Sequence, residues 1–112
     1  MEFKNASEFN QNMEKPRIFI VSLSSCQPCI NTKKLLDSYS ISYEYVNIDQ
    51  ATQDEKEYVM DNLENFLVSG GISKVYPMIV IDGNKLIQGY DEKALHAIAR
   101  DMIIDTINAK IT

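Results

Sequence analysis

The sequence predicts an α/β domain, a four-stranded mixed sheet with helices on both faces, in the order β-α-β-α-β-β-α. Three observations carry this expectation. An unbroken apolar run, Ile18 to Val21, gives way to a cysteine-containing turn and then to a helical segment. Thr52-Gln53-Asp54-Glu55 is a capping signature that opens a second helical segment. Two apolar runs flank Asp82-Gly83-Asn84, the pattern of a tight hairpin.

The elements follow in chain order. Residues 1–15 are polar, with Phe9 and Met13 one helical turn apart; they read equally as a short docked helix or as a frayed leader, and stand as an extension to a domain spanning 16–112. Ile18-Phe19-Ile20-Val21 fits a strand buried on both faces. After Ser24 to Cys29, a helix from Ile30 to Tyr39 places Ile30, Leu35, Leu36 and Tyr39 on one side. Tyr43 to Ile48, aromatic and β-branched, is the second strand. The helix behind Thr52 carries Val59, Leu63, Phe66 and Leu67, and Ser69-Gly70-Gly71 stops it. Met78 to Ile81 and Lys85 to Ile87 form the hairpin strands. Asp91 then caps a last helix with the stripe Leu95, Ile98, Ala99, Met102, Ile103 and Ile107. The first two strands are expected to be parallel, joined by a right-handed crossover, and the hairpin antiparallel.

Composition narrows the function. At 112 residues, with 45% hydrophobic and 24% charged side chains, the chain suffices for one compact domain that needs no disulfide staple. The apolar runs fall far short of the about 20 residues that span a membrane. Met1 to Asn5 lacks the basic start and apolar stretch of a secretory signal, so a cytoplasmic location is expected. A net charge of −5 and scattered Lys and Arg argue against nucleic-acid binding. A monomer is the expected state.

Cys26-Gln27-Pro28-Cys29 is where the chemistry is expected. Two thiols separated by two residues at a helix start can close a disulfide within one turn. Cys26 falls at the helix N-terminus, where unpaired N–H groups and the macrodipole favour an anion. A cysteine with a pKa of about 8.5 is only about 3% thiolate at pH 7, and lowering it to about 7 makes that roughly half. Cys29, one turn further in, is placed to resolve a mixed disulfide, and Pro28 loses little by lacking an N–H in a first turn. Ser25, Gln27 and Pro28 complete the loop. Zinc would need four ligands, and the chain offers two cysteines and one His, His96, some seventy residues away and read as a helix-surface residue, so no metal site is expected. Tyr76-Pro77 precedes an apolar strand; Pro77 is either an ordinary trans proline there or a cis proline that bares the Tyr76 backbone to an extended substrate.

With a dithiol after the first strand, Pro77 before the third, and Gln88-Gly89-Tyr90-Asp91 before the last helix, residues 16–108 resemble the glutaredoxins of the thioredoxin superfamily. The resemblance implies a thioredoxin-like fold and a dithiol enzyme in which Cys26 attacks and Cys29 resolves. It implies a cis bond at Pro77, backbone contacts from Tyr76 to glutathione or a peptide, and a place in that site for Gly89 and Tyr90. Asp91 would match the acidic residue that meets the glutathione γ-glutamyl group, and Lys74 a basic position facing a glutathione carboxylate.

The departures bear on the cofactor. Leu23 stands where glutaredoxins usually have Lys, Gln88 replaces a glycine, Val75-Tyr76 replaces Thr-Val, and Pro28 precedes the second cysteine as in thioredoxins. Thioredoxins carry a Trp before the dithiol and a buried Asp where this chain has Ile20; here there is no Trp. The expectation is a dithiol electron carrier that reduces protein disulfides and holds no bound cofactor. Its donor is a thioredoxin reductase in preference to glutathione. The alternatives are a glutathione-dependent glutaredoxin with glutathione as co-substrate, and a module binding a [2Fe–2S] cluster.

Overall fold

The computed structural model describes residues 17–68, 70 and 73–111, the last two as backbone only. The elements are β1 (Ile18–Ser22), α1 (Gln27–Ser38), β2 (Glu44–Asn47), a 3₁₀ turn (Ile48–Gln50), α2 (Gln53–Val68), β3 (Met78–Ile81), β4 (Lys85–Gln88) and α3 (Glu92–Ile111). The expected order is therefore observed. The extension at 1–15 and the stop signal at Ser69 and Gly71 lie outside the described residues; Gly70, between them, has φ of 74°.

The sheet order is β2-β1-β3-β4. β1 runs parallel to β2 and antiparallel to β3, and β3 is antiparallel to β4. The two central strands, β1 and β3, are buried along their whole length, which is why both read as unbroken apolar runs. Alternation along them divides the core in two. Ile18, Ile20, Ile79 and Ile81 meet Leu35 and Leu36 of α1 and Leu95, Ile98 and Met102 of α3. Phe19, Val21, Val46, Met78 and Val80 meet Val59 and Leu63 of α2 on the opposite face. Helices thus cover both faces, two on one and one on the other.

Several boundaries differ from the sequence expectation. β2 is shorter, and α1 begins at Gln27 rather than Ile30. Cys29, Thr32, Leu35 and Leu36 form its buried face, and Ile30 points outward at 36% exposure. Leu67 and Ile107 are also exposed, at 41% and 50%. For Ile107 the cause is length. The 20 residues of α3 span about 30 Å, whereas strands of four or five residues span about 15 Å. The helix therefore outruns the sheet it packs on. His96 is half-buried rather than on the free surface, with Nδ1 2.5 Å from the Tyr39 hydroxyl and the two rings edge to face.

The punctuation behaves as its chemistry requires. The Glu55 N–H donates to Thr52 Oγ1 at 3.2 Å and the Thr52 N–H to Glu55 Oε1 at 2.9 Å, a reciprocal capping box. The hairpin turn holds Asp82 and Gly83 at φ of 52° and 75°, the left-handed region that suits these residues. At that end of the sheet both Asp82 oxygens accept from Arg17, at 2.7 and 2.8 Å, and a third Arg17 nitrogen reaches Asp105 on α3 at 3.1 Å. Glu44, buried under α2, accepts from the Tyr58 hydroxyl at 2.8 Å, and its other oxygen has no partner among the described residues. No helix of the described residues is long and apolar enough to cross a membrane.

Candidate active site

The site forms at the other end of the sheet, where β1 passes into α1. Parallel pairing of β1 and β2 offsets partners by 25 residues, as in Ser22 with Asn47. The same offset continues beyond the strands through side chains. Ser22 Oγ donates to Asn47 Oδ1 at 2.5 Å, and Ser24 donates its N–H and its hydroxyl to the two oxygens of Asp49 at 3.0 and 2.5 Å. The Ser24 hydroxyl, and then its N–H, hold the Asp49 carboxyl below the usual carboxylate range. The turn that delivers the first cysteine is thereby tied to the end of the neighbouring strand.

Cys26 is the N-cap residue of α1, extended at φ −95° and ψ 115°. Its Sγ accepts the Cys29 N–H at 3.2 Å. An N-cap acceptor ordinarily serves the second or third helical N–H. Pro28 occupies the second position and has none, which leaves Cys29 as the donor. Cys26 and Cys29 are joined as a disulfide with Cα atoms 5.2 Å apart. The two differ sharply in access, since Cys26 is half-exposed and Cys29 is fully buried. Thr32, also buried, donates to the Pro28 carbonyl at 2.9 Å and steadies the first turn. The first turn of α1 contains no acidic side chain.

Facing the dithiol, the Tyr76-Pro77 bond is cis, and Pro77 is fully buried. The Tyr76 carbonyl oxygen lies 3.9 Å from Cys26 Sγ. Gly89 donates its N–H to the Pro77 carbonyl at 2.8 Å and sits at φ of 85°. A Cβ there would come within 3.3 Å of Val75 Cγ1, so a side chain at this position is both strained and crowded.

The structure therefore brings Cys26, Cys29, Tyr76 and Pro77 together, with Gly89 behind them. Ser25, Gln27 and Pro28 are exposed around the dithiol. Tyr90 is half-buried and packs on the α1 and α3 side of the core. Asp91 is exposed and spends Oδ1 on the Ala94 N–H at 3.0 Å, capping α3. Lys74 is exposed in the loop ahead of Tyr76. Neither Lys74 nor Asp91 is hydrogen-bonded to the dithiol among the described residues. No group of three or more His, Cys, Asp or Glu side chains there is arranged to hold a metal ion.

Two residues contribute through bonds that the local sequence does not show. Asp49 braces the turn, and Gln88 Oε1 accepts from the Ser73 N–H at 2.9 Å and from its hydroxyl at 3.2 Å. Only the strand register exposes the first, because Ser24 and Asp49 share the offset of Ser22 and Asn47. The second has no local signal.

A half-exposed cysteine capping a helix, a buried partner one turn in, and a cis proline across from both define a dithiol protein of the thioredoxin superfamily. The glutaredoxin family model matches residues 18–86, more than half of the chain. Glutaredoxin 1 of Rickettsia prowazekii is 36% identical over 75 residues, covering 67% of this chain and 70% of that protein. Glutaredoxin 1 of Rickettsia conorii is 37% identical over 65 residues, covering 58% of this chain and 57% of that protein, so the match spans little more than half of that relative's length. Among solved structures, methanoredoxin of Methanosarcina acetivorans is 29% identical with a TM-score of 0.58, covering 74% of this chain and 83% of that one. The chain belongs to the glutaredoxin family.

Proposed function

We propose that the protein is a dithiol thiol–disulfide oxidoreductase that reduces protein disulfides. The observation that carries this is the asymmetry of the pair, with Cys26 accessible and capped by an N–H, and Cys29 buried 5.2 Å away between Cα atoms. In the reduced protein the Cys26 thiolate attacks one sulfur of the substrate disulfide. A Cys26–substrate disulfide forms, and the other substrate sulfur leaves as a thiolate that takes a proton from water. Cys29 then loses its proton and attacks Cys26 Sγ, which closes the Cys26–Cys29 disulfide and frees the second substrate thiol. Two electrons pass from the dithiol to the substrate. Ile20, fully buried, offers no carboxylate to take the Cys29 proton, so water or another group must accept it.

Regeneration needs a two-electron donor. A thioredoxin-reductase-type donor is favoured over glutathione, because Leu23 and Gln88 stand where the family resemblance expects glutathione partners. Glutathione as co-substrate, meeting Tyr76, Asp91 and Lys74, is the alternative. A monomer in the cytoplasm fits this reading, since a reducing dithiol works where thiols are kept reduced.

Cys26→Ser should abolish reduction of insulin disulfides, and Cys29→Ser should accumulate a mixed disulfide visible as a mass increase equal to the substrate. Wild-type turnover by Cys26→Ser would refute the assignment. Supplying electrons through glutathione and its reductase, and separately through thioredoxin reductase, decides the donor. Saturable turnover of a glutathione mixed disulfide would favour the alternative.

A further inference from the structure

The segment Ser73–Pro77 lies along the end of β4 and touches it at alternate residues. Ser73 gives its N–H and hydroxyl to Gln88 Oε1 at 2.9 and 3.2 Å. Val75 Cγ1 stands 3.3 Å from where a Cβ on Gly89 would lie. Pro77 receives the Gly89 N–H on its carbonyl at 2.8 Å. The residue between the last two contacts, Tyr76, turns its carbonyl toward Cys26 Sγ at 3.9 Å. Residues 73 and 77 are therefore hydrogen-bonded to the end of β4, Val75 lies exposed over Gly89, and Tyr76 packs its ring on the α2 side of the core while its carbonyl faces the dithiol.

Two of these three contacts are backbone or apolar and depend on Gly89. The third depends on one side-chain oxygen. Gln88 is the last residue of β4, and its amide oxygen replaces the water that would otherwise meet the Ser73 N–H. Within the segment itself, Val75 N–H bonds back to the Ser73 carbonyl at 2.9 Å, so the position of Ser73 is passed on to Val75 and then to Tyr76.

We propose that Gln88 is a positioning residue. By holding Ser73, it fixes the segment that carries the Tyr76 backbone beside Cys26, and so favours polypeptide disulfides over small ones. The inference rests on the redox function proposed above. A polypeptide substrate must lay its chain along Tyr76 while its sulfur meets Cys26, and a loosened segment offers that chain a moving edge. A small disulfide needs only Cys26, so its reaction is indifferent to the segment.

Both bonds to Ser73 use the Gln88 oxygen as acceptor, and this supplies a test. Gln88→Ala removes both bonds, whereas Gln88→Glu keeps an acceptor at the same reach and makes it charged. Gln88→Ala should raise KM for insulin reduction about three- to tenfold with kcat little changed, the scale of one or two exposed hydrogen bonds. Its second-order rate with a small aromatic disulfide should stay within about twofold of wild type. Gln88→Glu should restore the insulin KM. Exchange of the Ser73 amide proton should quicken in Gln88→Ala and not in Gln88→Glu.

A purely structural staple would lower both activities together or neither, and either outcome overturns the proposal. So does Ser73 amide exchange that ignores Gln88→Ala. If wild-type protein reduces neither disulfide, the redox function falls and this inference falls with it. If wild type reduces both and Gln88→Ala matches it on insulin, only the Gln88 assignment fails.

Discussion

α1 and α2 both begin behind a strand of the parallel pair, and both must satisfy the N–H groups that a helix start leaves free. α2 does so with oxygen. Thr52 and Glu55 exchange bonds at 3.2 and 2.9 Å, and Asp54 and Glu55 place carboxylates in the first turn. α1 uses sulfur, with Cys26 Sγ accepting the Cys29 N–H at 3.2 Å and no acidic side chain in the first turn. The first arrangement is closed, since donors, acceptors and dipole are matched by groups that do not change. The second is left open to an anion that appears only when the disulfide is reduced. The contrast is between a cap completed by carboxylates and a cap whose acceptor is a cysteine sulfur with no carboxylate in its first turn.

The largest break in this comparison comes from putting the missing charge back. Gln27→Glu gives α1 the acidic first turn that α2 has, one residue after Cys26. In the reduced wild type the N–H bond and the helix terminus favour the thiolate, so Cys26 should titrate below the about 8.5 of a free cysteine. Gln27→Glu should raise that pKa toward the free value and slow attack on a disulfide at neutral pH several-fold. Thiolate absorbance followed against pH measures the first effect and stopped-flow the second. An unchanged titration would show that the terminus does not govern the thiol.

A smaller effect should follow from loosening the turn that feeds α1. Asp49 takes two bonds from Ser24, and these hold its carboxyl below the ordinary range. A depressed carboxyl contributes while ionised; the brace is fully present above the usual carboxylate pKa and is lost as pH falls through the lower, folded value. Asp49→Ala should imitate that acid state at neutral pH, lowering insulin reduction by about two- to fivefold, the loss of an exposed bond or two. The Ser24 amide resonance, followed through acid titration, should shift only below the ordinary carboxylate range.

The smallest effect on activity belongs to the closed cap. Thr52→Ala should leave disulfide reduction unchanged and cost about 1 kcal/mol of stability in urea unfolding. A change in redox rate there would mean that α2 is coupled to the site, and the contrast between the two helix starts would fail.

How much was legible varied with the range of the interaction. The capping box, the Asp82-Gly83 turn, the dithiol and Asp91 as a cap were all readable, because each depends on residues within a few positions of one another. Ile30 lies about 120–140° around the helix from Leu35 and Leu36, so it points outward while Cys29 and Thr32 share their face. His96 showed no local sign of its bond to Tyr39, 57 positions away.

By itself the sequence determined the order of elements, the two-sided burial of the central strands, and the placing of Cys26 and Cys29 on a strand-to-helix turn. Apolar runs, turn residues and caps act locally, so they can be read locally. Only the tertiary structure decided what surrounds the dithiol. Ser24 reaches Asp49 across 25 positions, Cys26 meets the Tyr76 carbonyl across 50, and Gln88 holds Ser73 across 15. Each joins segments whose separation in the chain has no bearing on their distance in space. Strand register and the packing of the loops against the sheet set those distances.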